Sequence, residues 1–244
     1  MKRLAVFASG RGSNFRAIVD HARMNILHDV EVGLLVTNDA AAPVVDIARK
    51  NSIPAIHIEG IFGKKFPSKQ ERERARNEFD QKAIDTLKEN RIDLVALAGF
   101  MQVLGPSIVH AYEYRTMNIH PAKDVRRFGG PGMFGERVHA AVLSAGEKES
   151  GCTIHYVDES VDGGPVILQS IVPVEIGDTA ESLAHRILIQ EHRTYSKAIQ
   201  LHVDNRLKVL DRKVTIDWSG NWEEDWNRRQ EAFIRSQMLL EPAA

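Results

Sequence analysis

The stretch Leu94–Ala98 is apolar at every position. A strand with no polar face is covered on both sides, which is the condition of a central strand in a parallel sheet. Similar short runs stand at Leu4–Ala8 and Val32–Val36. Helical patterning separates them: residues 14–24 after the first run, a helix opened by Pro43 after the second, and residues 68–89 before Leu94. Phe79, Ala83, Ile84 and Leu87 supply the apolar stripe of the 68–89 helix, and Pro54 precedes a further short strand at 55–58. This alternation predicts an α/β fold: a Rossmann-like, mostly parallel sheet with helices on both faces. Ligands in such sheets bind beyond the carboxyl ends of the strands, where the strand order reverses. The residues directly after each strand are therefore where chemistry is to be sought.

The second half reads differently. Residues 121–135 hold four glycines and two prolines, too many for a regular element, so a long loop is predicted. Residues 152–158 and 165–174 read as strands joined by the turn Asp162, Gly163 and Gly164, and 179–201 as a long helix. Beyond about residue 205 come a short extended stretch and a helix containing Trp222, Trp226 and Phe233. That spacing suits docking on the domain or on a second subunit, so a homodimer is one expected assembly. The predicted organisation is a main domain over 1–205 and a C-terminal extension over 206–244.

Charge and composition narrow the partners. Lys+Arg 32 against Asp+Glu 33 leaves a net charge of -1, which argues against a general nucleic-acid or membrane-surface binder. The single cysteine, Cys152, excludes an internal disulfide and any multi-cysteine metal site. No apolar run reaches the roughly 20 residues of a membrane helix, and Leu4–Ala8 is too short for a signal peptide. A cytoplasmic protein without a bound metal is expected.

The sequence from Ser9 to Asn14, Ser-Gly-Arg-Gly-Ser-Asn, follows the first strand and opens a helix. The free N–H groups of a helix start, together with its dipole, favour an anion. Phe15 stands where a dinucleotide fingerprint has its third glycine, and no Gly-Lys-Ser/Thr follows. The loop therefore suits a phosphate monoester, or simply a turn in which Ser13 or Asn14 caps the helix. Asn118 and His120 end the next strand, and alternation sends both to one side. An amide donor beside an imidazole is equipment for stabilising an oxyanion and moving a proton; a hydrogen-bonded strand-end histidine is the structural alternative. Asp162 either bonds its own turn or holds a carboxylate against that pair. His155, on the strand leading into the turn, is a secondary candidate. In helix 179–201 the apolar stripe runs Leu183, Ile187, Tyr195 and Ile199, with Glu191 in the missing place. A carboxylate there needs a partner or a ligand unless its head reaches solvent. The charged run 69–78 reads as a solvated helix face.

Taken in order, Ser9–Asn14, Leu97–Leu104, Asn118–Pro121, Asp162–Gln169 and Gln190–His192 resemble the motifs of the glycinamide ribonucleotide transformylases, a folate-dependent formyltransferase family, across residues 3–210. The resemblance implies a formyltransferase domain that moves a formyl group from 10-formyltetrahydrofolate to the amine of 5′-phosphoribosylglycinamide. The products are 5′-phosphoribosyl-N-formylglycinamide and tetrahydrofolate, in de novo purine (IMP) biosynthesis. Small molecules are then the partners and folate the cosubstrate, with no metal. Residue by residue, it implies Gly12, Ser13 and Asn14 at the 5′-phosphate and Glu191 at the ribose hydroxyls. It implies Asn118, His120 and Asp162 in catalysis. Around the folate it implies Met101, Gln102, Val103, Leu104, Asn118, Val157, Asp158 and Asp162. The chain departs from the family after Pro121: a longer, glycine-rich run to Gly135 replaces Ser-Leu-Leu-Pro, leaving Arg126 and Arg127 as anion partners. Rival readings are a deformylase or a methionyl-tRNA formyltransferase, which deliver the formyl group to water or to an aminoacyl-tRNA. A rival of another class is a non-catalytic nucleotide-binding module.

Overall fold

The computed structural model describes residues 1–238; positions 239–244 of the predicted extension lie outside the described residues. The first half runs β1 (Lys2–Phe7), α1 (Ser13–Arg23), β2 (Val30–Thr37), α2 (Val44–Lys50), β3 (Ala55–His57), α3 (Lys69–Glu89), β4 (Leu94–Leu97). The second continues α4 (Pro106–Ala111), β5 (Thr116–His120), α5 (Val125–Phe128), α6 (Glu136–Ser144), β6 (Glu149–Tyr156), β7 (Val166–Pro173) and α7 (Ala180–Val203). A hairpin of β8 (Leu207–Leu210) and β9 (Lys213–Ile216) precedes α8 (Trp222–Met238).

Seven strands form one sheet in the order β3-β2-β1-β4-β5-β6-β7. The pairs from β3 to β5 are parallel, and β6 and β7 add antiparallel strands. All four residues of β4 are buried between β1 and β5, as a strand with no polar face requires. Because strand side chains alternate, Leu4 and Val6 enter one apolar core, shared with α1 and α7, while Ala5 and Phe7 enter another under α3 and α4. The chain moves outward from β1 to β3 and then crosses to β4, so the order reverses between β1 and β4. Fully buried Tyr195 fixes α7 beside this point, its hydroxyl 3.0 Å from the carbonyls of Leu97 and Met117. The two longest helices have side-chain start signals. The Ser68 side chain caps α3, and Thr179 and Ser182 form a reciprocal capping box on α7.

Some elements differ from expectation. The stretch 121–135 is not wholly loop: Val125–Phe128 make a turn of helix capped by Asp124. All four glycines lie after Phe128, so nothing in 121–128 bars a helix. Helices α4 and α6 were not legible, being six and nine residues long. Pro43 caps α2 instead of occupying its first turn. Trp222 and Trp226 stack at 5.8 Å and pack with Ile26 and Leu201, so α8 covers the α1–α7 face of its own chain. Among the described residues no helix is long and apolar enough to cross a membrane.

That helical layer encloses histidines. His21 Nδ1 lies 2.7 Å from Ser196 Oγ, and His202 Nδ1 lies 2.9 Å from the Tyr156 hydroxyl. Burial pushes both imidazoles down to about 4. An unfolded histidine takes up its proton near pH 6.5, so below that pH the unfolded chain binds more protons than the folded one. Stability is therefore expected to fall as pH drops from about 6.5 toward 4, by roughly 1.4 kcal/mol per pH unit for each such histidine. Urea midpoints measured from pH 7 to pH 5 test this; a midpoint that holds steady contradicts it.

Candidate active site beyond the strand ends

The loops after β1, β2, β3 and β4 meet where the strand order reverses. Ser9 donates from Oγ to Asn38 Oδ1 at 2.5 Å and accepts from the Met101 amide at 3.0 Å. Gln102 is buried, and its Oε1 accepts from the amides of Ile61 (2.8 Å) and Phe62 (3.2 Å).

At the end of β5 stands the densest polar group. Asn118 Nδ2 is 3.1 Å from both Asp162 Oδ1 and His155 Nε2. His155 Nδ1 faces the Tyr156 carbonyl at 2.9 Å, which only an N–H can satisfy, so Nε2 carries the lone pair that accepts from Asn118. His120 Nε2 donates to the Phe128 carbonyl at 2.8 Å by the same reasoning, leaving Nδ1 3.5 Å from Asp162 Oδ2. Asp162 Oδ2 also accepts from the Gly130 amide at 3.0 Å. Asn118 and His120 thus share a side of β5, and His155 joins them from the paired position on β6.

Burial and charge act against each other at His120. A nearby carboxylate suggests that His120 rests as an imidazolium. Burial, however, lowers its pKa by more than the Asp162 charge raises it, so the resting ring is neutral. For Asp162, burial works to raise the pKa, but the neighbouring His155 and His120 rings and the Gly130 amide, which donates to Oδ2, together hold it below the ordinary carboxylate value. Asp162 remains ionised. A proton arriving at His120 Nδ1 therefore lands beside a fixed negative charge, an arrangement suited to taking a proton from one group and handing it to another.

Asp162 has φ +56, a left-handed conformation that aspartate tolerates better than most residues. Beside it, a Cβ on Gly164 would stand 1.8 Å from the Tyr156 carbonyl oxygen, so only glycine lets the turn lie against β6.

The loop after β1 is shaped differently from a side-chain-capped start. Gly12 at φ +75 is the N-cap of α1, without a side-chain cap, and a Cβ there would meet Val44 Cγ2 at 2.5 Å. Ser13 and Asn14 lie inside the first turn. Asn14 Nδ2 instead donates to Glu191 Oε2 at 2.7 Å, and both residues are buried. Glu191 occupies the apolar stripe of α7 as its spacing predicts, and burial raises its pKa against the lowering effect of Asn14.

The other predicted residues separate. In the segment after β4, Leu104 is buried and Met101 half-buried, while Val103 is 45% exposed. Val157 and Asp158 line an open cavity of about 380 Å³ together with Val109, His110, Tyr114 and Arg212. The Arg127 guanidinium pairs with Glu147 and lies over the Phe128 ring. Arg126 is exposed on α5. Among the described residues no group of three His, Cys, Asp or Glu side chains is placed to hold a metal ion.

Sequence reasoning passed over other residues. Arg212, at the tip of the β8–β9 hairpin, donates to Asp158 Oδ2 (2.6 Å) and to the Gly163 carbonyl (3.0 Å), tying the C-terminal hairpin to the Asp162 turn. Nothing in the spacing of Arg212 announces this. Asp80, fully buried on α3, accepts from the Gly105 amide at the start of α4. Here a signal existed, because Asp80 lies on the stripe of Phe79, Ala83 and Ile84 as Glu191 does on α7.

A family model described as formyl transferase matches residues 2–199. The chain is 38% identical over 206 residues to the chloroplastic phosphoribosylglycinamide formyltransferase of Vigna unguiculata, covering 84% of this chain and 62% of that relative's length. It therefore spans less than two thirds of that protein. It is 36% identical to the phosphoribosylglycinamide formyltransferase of Bacillus subtilis, covering 84% of this chain and 98% of the relative. The crystal structure of glycinamide ribonucleotide transformylase 1 from Symbiobacterium toebii superposes with a TM-score of 0.75 at 36% identity, covering 88% of this chain and 94% of that one.

Proposed function

The chain belongs to the formyl transferase family, and from that membership we propose that it transfers the formyl group of 10-formyltetrahydrofolate to the amine of 5′-phosphoribosylglycinamide. The observation that carries this reading is the convergence of Asn118, His120 and Asp162 within hydrogen-bonding or ion-pair distance at the end of β5. The buried Asn14–Glu191 pair beside the β1 loop supports the ribonucleotide as acceptor.

In this mechanism the N–H groups around Gly12, Ser13 and Asn14 hold the 5′-phosphate at the start of α1, and Glu191 accepts from the ribose hydroxyls. The segment Met101–Leu104 with Val157 and Asp158 receives the folate. The neutral amine adds to the formyl carbon, and negative charge develops on the formyl oxygen. Asn118 meets that charge by turning one N–H away from Asp162 or His155. His120 Nδ1 takes the proton that leaves the attacking nitrogen, with Asp162 stabilising the imidazolium formed. The same proton is returned to the departing folate nitrogen as its bond to the formyl carbon breaks. Tetrahydrofolate and the formylated amide leave, and the resting protonation state is restored.

Purified protein is expected to convert 10-formyltetrahydrofolate to tetrahydrofolate only when the ribonucleotide is present, with EDTA leaving the rate unchanged. The change in folate absorbance measures it. Rapid turnover with water alone would transfer the assignment to a deformylase.

A further inference from the structure

Two of the four loops that meet at the strand reversal are joined through one side chain. Gln102 follows β4, is 3% exposed, and accepts through Oε1 from two successive amides of the loop after β3, Ile61 and Phe62. Its Nε2 donates to the carbonyl of Val103 at 3.1 Å, which fixes the amide's orientation. The fit is close on the other side too. A Cβ on Gly60 would stand 2.9 Å from Gln102 Oε1 and 3.0 Å from Asn38 Nδ2. Residues 62–65 of the β3 loop that Gln102 holds are exposed, tied within the loop by the Lys64–Glu59 ion pair and the Lys64 amide on the Ile61 carbonyl. Yet Phe62, 53% exposed, sets its ring edge-on to Phe134 at 6.2 Å between centroids. Phe134 belongs to the glycine-rich loop that follows α5, and Arg137 lies over its ring at 5.4 Å. The β3 loop and the glycine-rich loop therefore touch across the carboxyl edge of the sheet, and the inner end of that contact is fastened by Gln102.

We propose that Gln102 is a positioning residue: its side chain fastens the β3 loop so that the Phe62–Phe134 contact forms a cover over the carboxyl edge of the sheet, where both substrates bind. The proposal rests on the formyl-transfer reading for its substrates but not for its geometry. Gln102 touches neither Asn118, His120 nor Asp162, so its influence runs through binding. An acceptor at this place is needed because the buried Ile61 amide and the partly buried Phe62 amide would otherwise lose their partner, and a buried amide left unpaired opens toward water.

The test uses the full chain and two readouts. Lys64 and Lys65 lie on the β3 loop, just outside the fastened amides, so trypsin reports on its opening without any substrate. Gln102→Met, close in shape but unable to accept, is expected to raise the cleavage rate after Lys64 or Lys65 about tenfold, the loss anticipated for a missing buried hydrogen bond. Cleavage elsewhere should be unchanged, which separates loop opening from global unfolding. Gln102→Glu keeps an acceptor for Ile61 and Phe62 but sets an oxygen against the Val103 carbonyl, so it should restore part of the protection. Phe62→Ala, at an exposed position, removes the outer contact and should speed cleavage while the fold persists. The KM for each substrate should rise in Gln102→Met by more than the accompanying change in kcat. Unchanged cleavage in Gln102→Met, or faster cleavage with both KM values unmoved, overturns the proposal. Wild-type turnover, measured alongside, reports on the formyl-transfer reading separately.

Discussion

Replacing Asp162 with asparagine is expected to lower kcat by about 10²–10⁴-fold, the range of general acid–base contributions, while both substrates still bind. The size follows from what the carboxylate touches. Oδ1 accepts from Asn118, Oδ2 accepts from the Gly130 amide, and the same oxygen faces His120 Nδ1. Asparagine can accept from one of these groups and retains the left-handed turn conformation, so the fold survives the exchange. It cannot supply the negative charge against which His120 becomes an imidazolium. Burial already disfavours that cation, and without Asp162 only the hydrogen bond to the Phe128 carbonyl opposes the effect, so the His120 pKa falls further. In a profile of kcat against pH, the limb on which neutral His120 acts as the proton acceptor should therefore move to lower pH in the variant. Thermal unfolding serves as the control for folding. A normally folded Asp162→Asn protein that keeps more than about a tenth of wild-type kcat would remove Asp162 from the chemistry.

How far the site could be read from the sequence follows from the kind of interaction that builds it. Asn118 and His120 were legible because β-strand alternation is fixed by covalent geometry, and two residues on one strand must share a side. Glu191 was legible because a charged residue in an apolar stripe has to find a partner, and the partner is Asn14. The same rule applied to α3 leads to Asp80, which follows the 69–78 run read as a solvated face and sits next to Phe79 of the apolar stripe. Arg212 and the Gln102 side chain were not legible. Their partners, Asp158 with Gly163 and Ile61 with Phe62, come from loops whose meeting depends on how the sheet closes, not on any local pattern. Helix α5 was missed for a different reason. Composition averaged over 121–135 let the glycines after Phe128 outweigh a four-residue helical turn that has its own aspartate cap. The pairing of Arg127 with Glu147 was not legible either, because it joins α5 to the segment that follows α6. Strand order, and with it the reversal between β1 and β4, followed from alternation only as a rule about where to look; the crossing that brings Ser9, Asn38 and Met101 together is tertiary.

The second large effect is expected at Glu191, and it falls on binding. Glu191→Gln keeps the shape and can still accept from Asn14 Nδ2, so the buried pair should persist in the variant. The charge is what changes. A hydrogen bond to an ionised carboxylate is worth roughly 1.5–3 kcal/mol, about twice a neutral one, and two ribose hydroxyls could each lose that difference. The KM for the ribonucleotide should accordingly rise about 10–100-fold, with the KM for folate and kcat little altered. The direction of pH dependence supplies a second reading. Burial raises the pKa of Glu191 above that of an ordinary glutamate, with Asn14 pulling the other way. The strong acceptor is the ionised form, whose fraction shrinks as pH falls through this raised value. Ribonucleotide KM in the wild-type protein should therefore be lowest at alkaline pH and climb on acidification, starting at a higher pH than an exposed glutamate would allow. Glutamine does not titrate, so the same curve in Glu191→Gln should be flat over that limb. Steady-state KM for the ribonucleotide, taken at saturating folate from pH 5 to pH 8 for both proteins, separates the outcomes. Parallel curves would place the titrating group elsewhere, and an unaltered KM would leave Glu191 as a buried structural partner of Asn14.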